Sequence, residues 1–157
     1  SLDSISHAIE SLIYKKRIAR HGNVISLSDY RVQLSREAKN LWGKISPILK
    51  ETWRKPPVMH DLAKELRLEP KKLEKALVPL IKAGLILRPI KNRYFLPEAL
   101  DDLKGDIFKA ADSDNQITVK SYRDITGIGR NLSIEILEYF DRQGVTRRLG
   151  DTRQIIE

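Results

Sequence analysis

The same order of sequence elements occurs twice in this chain, and this repeat constrains the fold more than any other feature. Each copy has three stretches with apolar residues at helical spacing, a tight turn between the second and third stretches, and then two short strand-like segments. Gly84 and Gly144 end the third helical stretch in the two copies, and they are 60 residues apart. The repeat therefore predicts tandem modules, each with three helices and a terminal hairpin.

The first complete copy begins with a capping serine and contains several prolines that delimit its helices. Its predicted elements are a helix from Ser35 to near Trp53, a break at Pro56-Pro57, a short helix around Leu62–Leu66, a helix from Pro70 to Gly84, and strands at Leu85–Ile90 and Tyr94–Leu96. Within the first helix, Pro47 is expected to cause a bend or to begin a new turn.

The second copy has the same plan with glycines at its turns. Its predicted elements are a helix over Leu100–Phe108, a strand Ile117–Val119, a helix Lys120–Thr126, a turn at Gly127 and Gly129, a helix that stops at Gly144, and strands Val145–Leu149 and Thr152–Ile156 around Gly150-Asp151. Three helices with a terminal hairpin form the winged-helix version of the helix-turn-helix. The predicted fold class is α+β, mostly helical with small β-hairpins, in tandem winged-helix modules.

The opening segment resembles only the second half of a module, with a predicted helix at Ser4–Tyr14 and a hairpin at Arg17–Leu27. We therefore predict three units: residues 1–34 as the C-terminal half of a winged-helix module, 35–97 as a spacer module, and 98–157 as an RNA-binding module. Small modules of this size are expected to pack against one another. The missing first half and the absence of an initial Met suggest a piece of a longer protein.

Charge favours an anionic partner, because the chain has a net charge of +8. The excess lies between residues 35 and 97, with fifteen basic and six acidic residues, whereas residues 98–157 contain nine basic and twelve acidic residues. Cysteine is absent, and no apolar run approaches the length of about 18 residues that a membrane span needs. We expect a cytoplasmic monomer that does not bind membranes.

No pattern in the sequence indicates catalysis, a metal or a cofactor. His7, His21 and His60 lie in different predicted modules without ligand spacing, and His60-Asp61 are neighbours on a helix that do not face each other. The phosphate-binding GxxxxGK[ST] loop is missing. We therefore predict that this chain is not an enzyme.

Six of the nine basic residues in the last copy lie in the turn and the hairpin, which converge at one edge of a winged helix. The predicted RNA-binding residues are Lys120, Tyr122, Arg123, Arg130, Asn131, Arg147, Arg148, Asp151 and Arg153. Arg130 and Asn131 can reach base edges, and Tyr122 can stack on a base because its neighbours are polar. The alternative is an ordinary solvated surface with arginines covering apolar neighbours.

A second basic cluster occurs on the second and third helices of the middle copy: Lys64, Arg67, Lys71, Lys72, Lys75 and Lys82. Here a solvated surface with ion pairs to the interspersed Glu65, Glu69 and Glu74 is favoured over specific contact. For Tyr94, Phe95 and Tyr139, a place in the core is likewise favoured over stacking on bases.

The stretch KSYRDITGIGRNLSIEILEYFDRQGVTRRLGDTRQII, from Lys120 to Ile156, resembles the last winged-helix module of the bacterial selenocysteine-specific elongation factor. Members of that family have an N-terminal GTPase part, deliver selenocysteinyl-tRNA to the ribosome, and hold an mRNA hairpin, the selenocysteine insertion element, with their terminal modules. The resemblance implies that this chain binds an mRNA hairpin during translation. It also implies the ribosome and selenocysteinyl-tRNA as partners of the full-length protein.

Two other functions remain open at this point. A winged helix commonly inserts its third helix into the DNA major groove, as in transcriptional regulators. Against this, Glu135, Glu138 and Asp141 on that helix would repel phosphates along a groove. The third possibility is a module that only docks on another protein.

Overall fold

The computed structural model describes residues 33–157, and the predicted helix and hairpin of the opening segment, with His7 and His21, lie outside them. In chain order the described elements are α1 (Arg36–Thr52), α2 (Met59–Leu66), α3 (Pro70–Lys82), β1 (Leu87–Ile90), β2 (Arg93–Phe95), α4 (Pro97–Ala110), β3 (Gln116–Ile117), α5 (Val119–Thr126), α6 (Arg130–Arg142), β4 (Thr146–Leu149) and β5 (Thr152–Ile155). This order confirms the predicted α+β class. We call residues 35–97 the middle module and 98–157 the last module.

Helix α1 begins where the sequence predicts, because the Ser35 hydroxyl accepts a hydrogen bond from the amide of Ala38. The helix continues through Pro47 to Thr52, so a new turn does not begin at the proline. Ile45 and Leu49 are buried on both sides of Pro47. Their burial holds the helix in place although the proline lacks a backbone donor.

The two glycines of the repeat end their helices with the same hydrogen bonds. The amide of Gly84 donates to Ile81 and that of Leu85 to Leu80, while Gly144 donates to Asp141 and Val145 to Phe140. Both glycines have positive φ, 76° and 77°, which a residue with a side chain rarely adopts. Identical stops therefore turn both third helices into their hairpins.

The small sheets lie at the end of each module. Strands β1 and β2 form an antiparallel hairpin, and β3, β5 and β4 form a three-stranded sheet in that order. In the middle module an isolated bridge between Val58 and Arg93 corresponds to the pairing of Ile117 with Arg153 in the last module. The predicted strand at Ile117–Val119 is shorter, because Val119 already belongs to α5.

The modules are in contact, as expected for units of this size. The Trp53 indole donates to Asp102 at 2.7 Å, and the Arg54 guanidinium binds both oxygens of Asp106 at 2.7 and 3.3 Å. Farther along, Arg142 of α6 donates to the carbonyl of Pro89 in β1. Residue Asp106 is buried, so its ion pair with Arg54 takes the place of lost hydration.

Candidate nucleic-acid interface

The sheet of the last module brings the start of α5 to the tip of the hairpin. Ile117 pairs with Arg153, and β3 runs antiparallel to β5, so the chain leaves β3 on the same side as the Gly150-Asp151 turn. Lys120 therefore lies at the end of the sheet where the hairpin tip projects. The Thr118 side chain caps α5 through the Ser121 amide, which fixes this geometry locally.

The turn between α5 and α6 is short and built on glycine. Gly127 has φ of 73° and ends α5 with a hydrogen bond from its amide to the carbonyl of Arg123. Gly129 begins α6 without a side-chain cap, and the first turn of α6 contains no acid. Arg123 and Arg130 thus flank a turn that leads into the uncapped N-terminus of α6, whose first backbone amides suit an anion.

Seven of the nine predicted residues are exposed: Lys120, Arg123, Arg130, Asn131, Arg147, Arg148 and Asp151. We call this set the turn-and-wing edge. None of its cations forms an ion pair with a carboxylate in the described part of the chain. Arg148 donates instead to the carbonyl of Gly150, which directs its side chain along the hairpin.

Tyr122 was predicted to stack on a base, and this is wrong because its ring is 0% exposed. Its hydroxyl donates to the carbonyl of Leu103 at 2.8 Å, so the ring joins α5 to α4. Burial raises the pKa of Tyr122, and the nearby Asp106 carboxylate raises it further. The residue holds the edge in place from inside the module.

Arg153 was also predicted to bind RNA, but only 4% of it is exposed. Its Nε donates to both oxygens of Asp141 on α6 at 3.0 and 3.2 Å, and the Thr146 hydroxyl donates to the same carboxylate at 2.6 Å. The ion pair thereby fastens the hairpin onto α6. Sequence pattern could not distinguish this arginine from its exposed neighbours, although Asp141 on the adjoining helix was a visible candidate partner.

The second half of helix α6 contacts the other module. Arg142, the last residue of α6, donates to the Pro89 carbonyl. Burial lowers the pKa of Arg93 in β2, and the negative charge of Glu135 on α6 acts in the opposite direction. Tyr94 and Phe95, for which a core position was favoured, are buried.

Within residues 33–157, no helix is long and apolar enough to cross a membrane. The same residues contain no group of three or more His, Asp or Glu side chains arranged to hold a metal ion.

Comparison with known proteins points to one family. The family model for the winged helix of elongation factor SelB matches residues 109–155. The selenocysteine-specific elongation factor of Escherichia coli (strain K12) is 30% identical over 143 residues, which cover 91% of this chain and 23% of that protein. The corresponding factor of Haemophilus influenzae is 26% identical over 147 residues, or 94% of this chain and 24% of that protein. The chain thus spans about a quarter of the length of these curated relatives.

A solved structure gives the same result at the level of the fold. The mRNA-binding domain of elongation factor SelB from E. coli, in complex with SECIS RNA, superposes with a TM-score of 0.69 and is 30% identical in sequence. The match covers 79% of this chain and 100% of the other.

Proposed function

Because the chain belongs to the SelB winged-helix family, we propose that its last module binds an mRNA hairpin through the turn-and-wing edge. The observation on which this depends is the set of exposed cations at the turn and wing that have no carboxylate partner in the described residues. In this proposal Lys120, Arg147 and Arg148 contact phosphates. The guanidinium of Arg130 and the amide of Asn131 bind base edges.

The bound RNA needs an exposed loop or a bulged base. Duplex RNA has a deep, narrow major groove that excludes side chains, whereas an unstacked base presents its edges. The edge is small enough to neutralise about two to five phosphates, so the logarithm of the affinity should fall by about 0.7 to 0.9 per unit of log salt concentration for each phosphate neutralised. Most of the specificity must then come from bases.

The DNA-binding alternative needs the outer face of α6 to lie in a major groove. Arg142 at the end of that helix donates instead to the Pro89 carbonyl of the middle module. This arrangement favours recognition by the start of α6 and the wing over insertion of the whole helix.

The proposal also divides roles between this chain and the full-length protein. In a full-length cytoplasmic protein of this family, we infer that this chain supplies RNA binding and no catalytic group. GTP hydrolysis, selenocysteinyl-tRNA and ribosome binding would belong to parts outside it. The sequence resemblance and the family match support this division.

A titration tests the binding proposal with three nucleic acids: a looped hairpin RNA, the same stem fully paired, and duplex DNA. The looped RNA should bind most tightly, and Arg123→Ala should weaken its binding. Lys104→Ala is the matched control, because Lys104 pairs with Glu157 at the end of the sheet away from the hairpin tip. If paired RNA or duplex DNA binds as tightly as the looped hairpin, the hairpin proposal is wrong.

A further inference from the structure

We propose that the middle module has a second nucleic-acid surface, which binds sugar-phosphate backbone without reading bases. We define this surface as the middle edge: Lys64, Arg67, Lys71, Lys72 and Lys91. It lies outside the turn-and-wing edge and is independent of it. The partner is a double-stranded nucleic acid, recognised through its phosphates.

The internal repeat locates the middle edge. Leu77 and Leu137 are buried at the same place in their third helices, 60 residues apart like the two terminal glycines. By this spacing, Arg67 corresponds to Gly127 of the last module and Lys71 to Asn131. The middle edge thus occupies the helix-turn-helix junction, and Lys91 occupies the turn of the hairpin.

All five side chains of the middle edge are exposed, and none lies within ion-pair distance of a carboxylate among residues 33–157. The acids interspersed with them do not neutralise them. Glu74 binds Arg88 of β1 at 3.1 Å, while Glu65 and Glu69 make no ion pair in the same part of the chain. The cluster is solvated, as the favoured sequence interpretation expects, but the ion pairs that it expects with these glutamates are absent from residues 33–157.

The chemistry of the middle edge suits phosphates rather than bases. The position of Arg130 is taken by Pro70, and that of Asn131 by Lys71, so the bidentate groups of the last module are missing there. Lysine acts as a point charge with no fixed donor geometry. In the hairpin, Arg88 is already held by Glu74 and by the Lys91 carbonyl. Binding by such a surface should depend on charge and salt and little on sequence.

Contacts between the modules fix the two edges relative to each other. Arg54 and Asp106 form an ion pair between the modules, and Arg142 donates to the Pro89 carbonyl. The middle edge therefore keeps one position relative to a hairpin that is held by the last module.

The test uses the whole chain and a fully paired RNA duplex without a loop or bulge. One triple variant, R67Q/K71Q/K72Q, removes three cations from the middle edge. The matched control, K39Q/K44Q/K50Q, removes three exposed lysines of α1 that form no ion pair within residues 33–157, and it makes the same change in net charge. Affinities are measured by titration at 0.1 and 0.3 M salt, with circular dichroism as a check on folding.

The middle-edge variant should bind duplex RNA on the order of 100-fold more weakly at 0.1 M salt, since three lost phosphate contacts each contribute a salt exponent of about 0.7 to 0.9. Its slope of log affinity against log salt should fall by about 2, and the control should change affinity by less than about threefold. Duplex DNA should lose affinity in parallel. Equal losses in the two triple variants, or a preference of more than tenfold between two duplex sequences, would overturn the proposal.

A separate readout distinguishes this surface from the hairpin site. The affinity for the looped hairpin should be retained in the middle-edge variant while the affinity for the paired duplex falls, so the ratio of the two affinities should rise, whereas Arg123→Ala should lower this ratio. If the wild-type chain shows no preference for the loop but the middle-edge variant still loses duplex binding, the proposed hairpin function fails and the second surface stands.

Discussion

The ion pair between Arg153 and Asp141 fastens the hairpin of the last module onto α6, and removing this ion pair tests that role most directly. Among residues 33–157, replacing Arg153 with alanine leaves the Asp141 carboxylate with the Thr146 hydroxyl as its only side-chain donor. It also removes a buried side chain that joins β5 to α6. We expect the hairpin to loosen and the free energy of unfolding to fall.

The magnitude follows from burial. The side chain of Arg153 is 5% exposed and that of Asp141 is 23% exposed. Breaking a fully buried ion pair costs about 3 to 5 kcal/mol, and a hydrogen bond to a charged group contributes about 1.5 to 3 kcal/mol. Because water reaches part of Asp141 and the Thr146 hydroxyl stays bound, we expect a cost of about 2 to 3 kcal/mol for Arg153→Ala.

A double-mutant cycle measures the pair itself. Urea unfolding of Arg153→Ala, Asp141→Ala and the double variant should give a coupling energy of about 1.5 to 3 kcal/mol. In the Asp141 variant, Arg148 and Arg153 remain directly opposite each other across the strands, and their like charges are no longer offset. Arg147→Ala is the control, because this exposed arginine has no ion-pair partner among the described residues.

RNA binding gives a second readout of the same pair. Arg153 is buried, so it can affect affinity only through the position of the wing. Arg153→Ala should weaken hairpin binding, and Arg153→Lys should recover part of it by keeping the charge near Asp141. A cost below about 0.5 kcal/mol together with a coupling energy near zero would refute the view that this pair fastens the wing.

Three further outcomes are expected. Arg148→Ala should weaken hairpin binding by about 1 to 3 kcal/mol without changing the urea midpoint, and a loss of both would contradict a direct contact with RNA. Burial raises the pKa of Tyr122, so above about pH 10 the unfolded chain loses the phenol proton while the folded chain keeps it. This difference should lower the free energy of unfolding by about 1.4 kcal/mol per pH unit as the pH rises. Tyr122→Phe should remove this contribution, which urea unfolding between about pH 9 and 11 would measure. Arg54→Met should lower the free energy of unfolding by about 2 kcal/mol, because it leaves the buried Asp106 without its main partner. Lys109→Met removes a cation 4.0 Å from the same carboxylate and should lower the free energy of unfolding by less than about 0.5 kcal/mol.

Local patterns were sufficient to predict the helices, turns and strands. Apolar spacing defines a helix, and a glycine with positive φ ends it, so the stops at Gly84 and Gly144 could be located from neighbouring residues alone. The same holds for the turn of the last hairpin, where Gly150 and Asp151 separate the paired residues Leu149 and Thr152.

Burial of individual polar and aromatic residues was harder to predict. Tyr122 lies between Ser121 and Arg123, so its neighbours in sequence suggested an exposed ring. In the fold, α5 turns that ring toward α4, where the Leu103 carbonyl accepts its hydroxyl. Leu103 is nineteen residues away from Tyr122 in sequence, so the polarity of the residues next to Tyr122 could not predict this hydrogen bond.

The sequence by itself determined the repeat, the fold class and the two regions where cations concentrate, because periodicity, turn chemistry and charge are properties of adjacent residues. Only the tertiary structure decided which of those cations are available. It paired Arg153 with Asp141 and Arg88 with Glu74, and it left Arg148 and Lys71 exposed without a carboxylate partner in residues 33–157. The physical reason is that an ion pair depends on distances set by packing between elements, and residues of one type can therefore support the fold at one position and face solvent at the next.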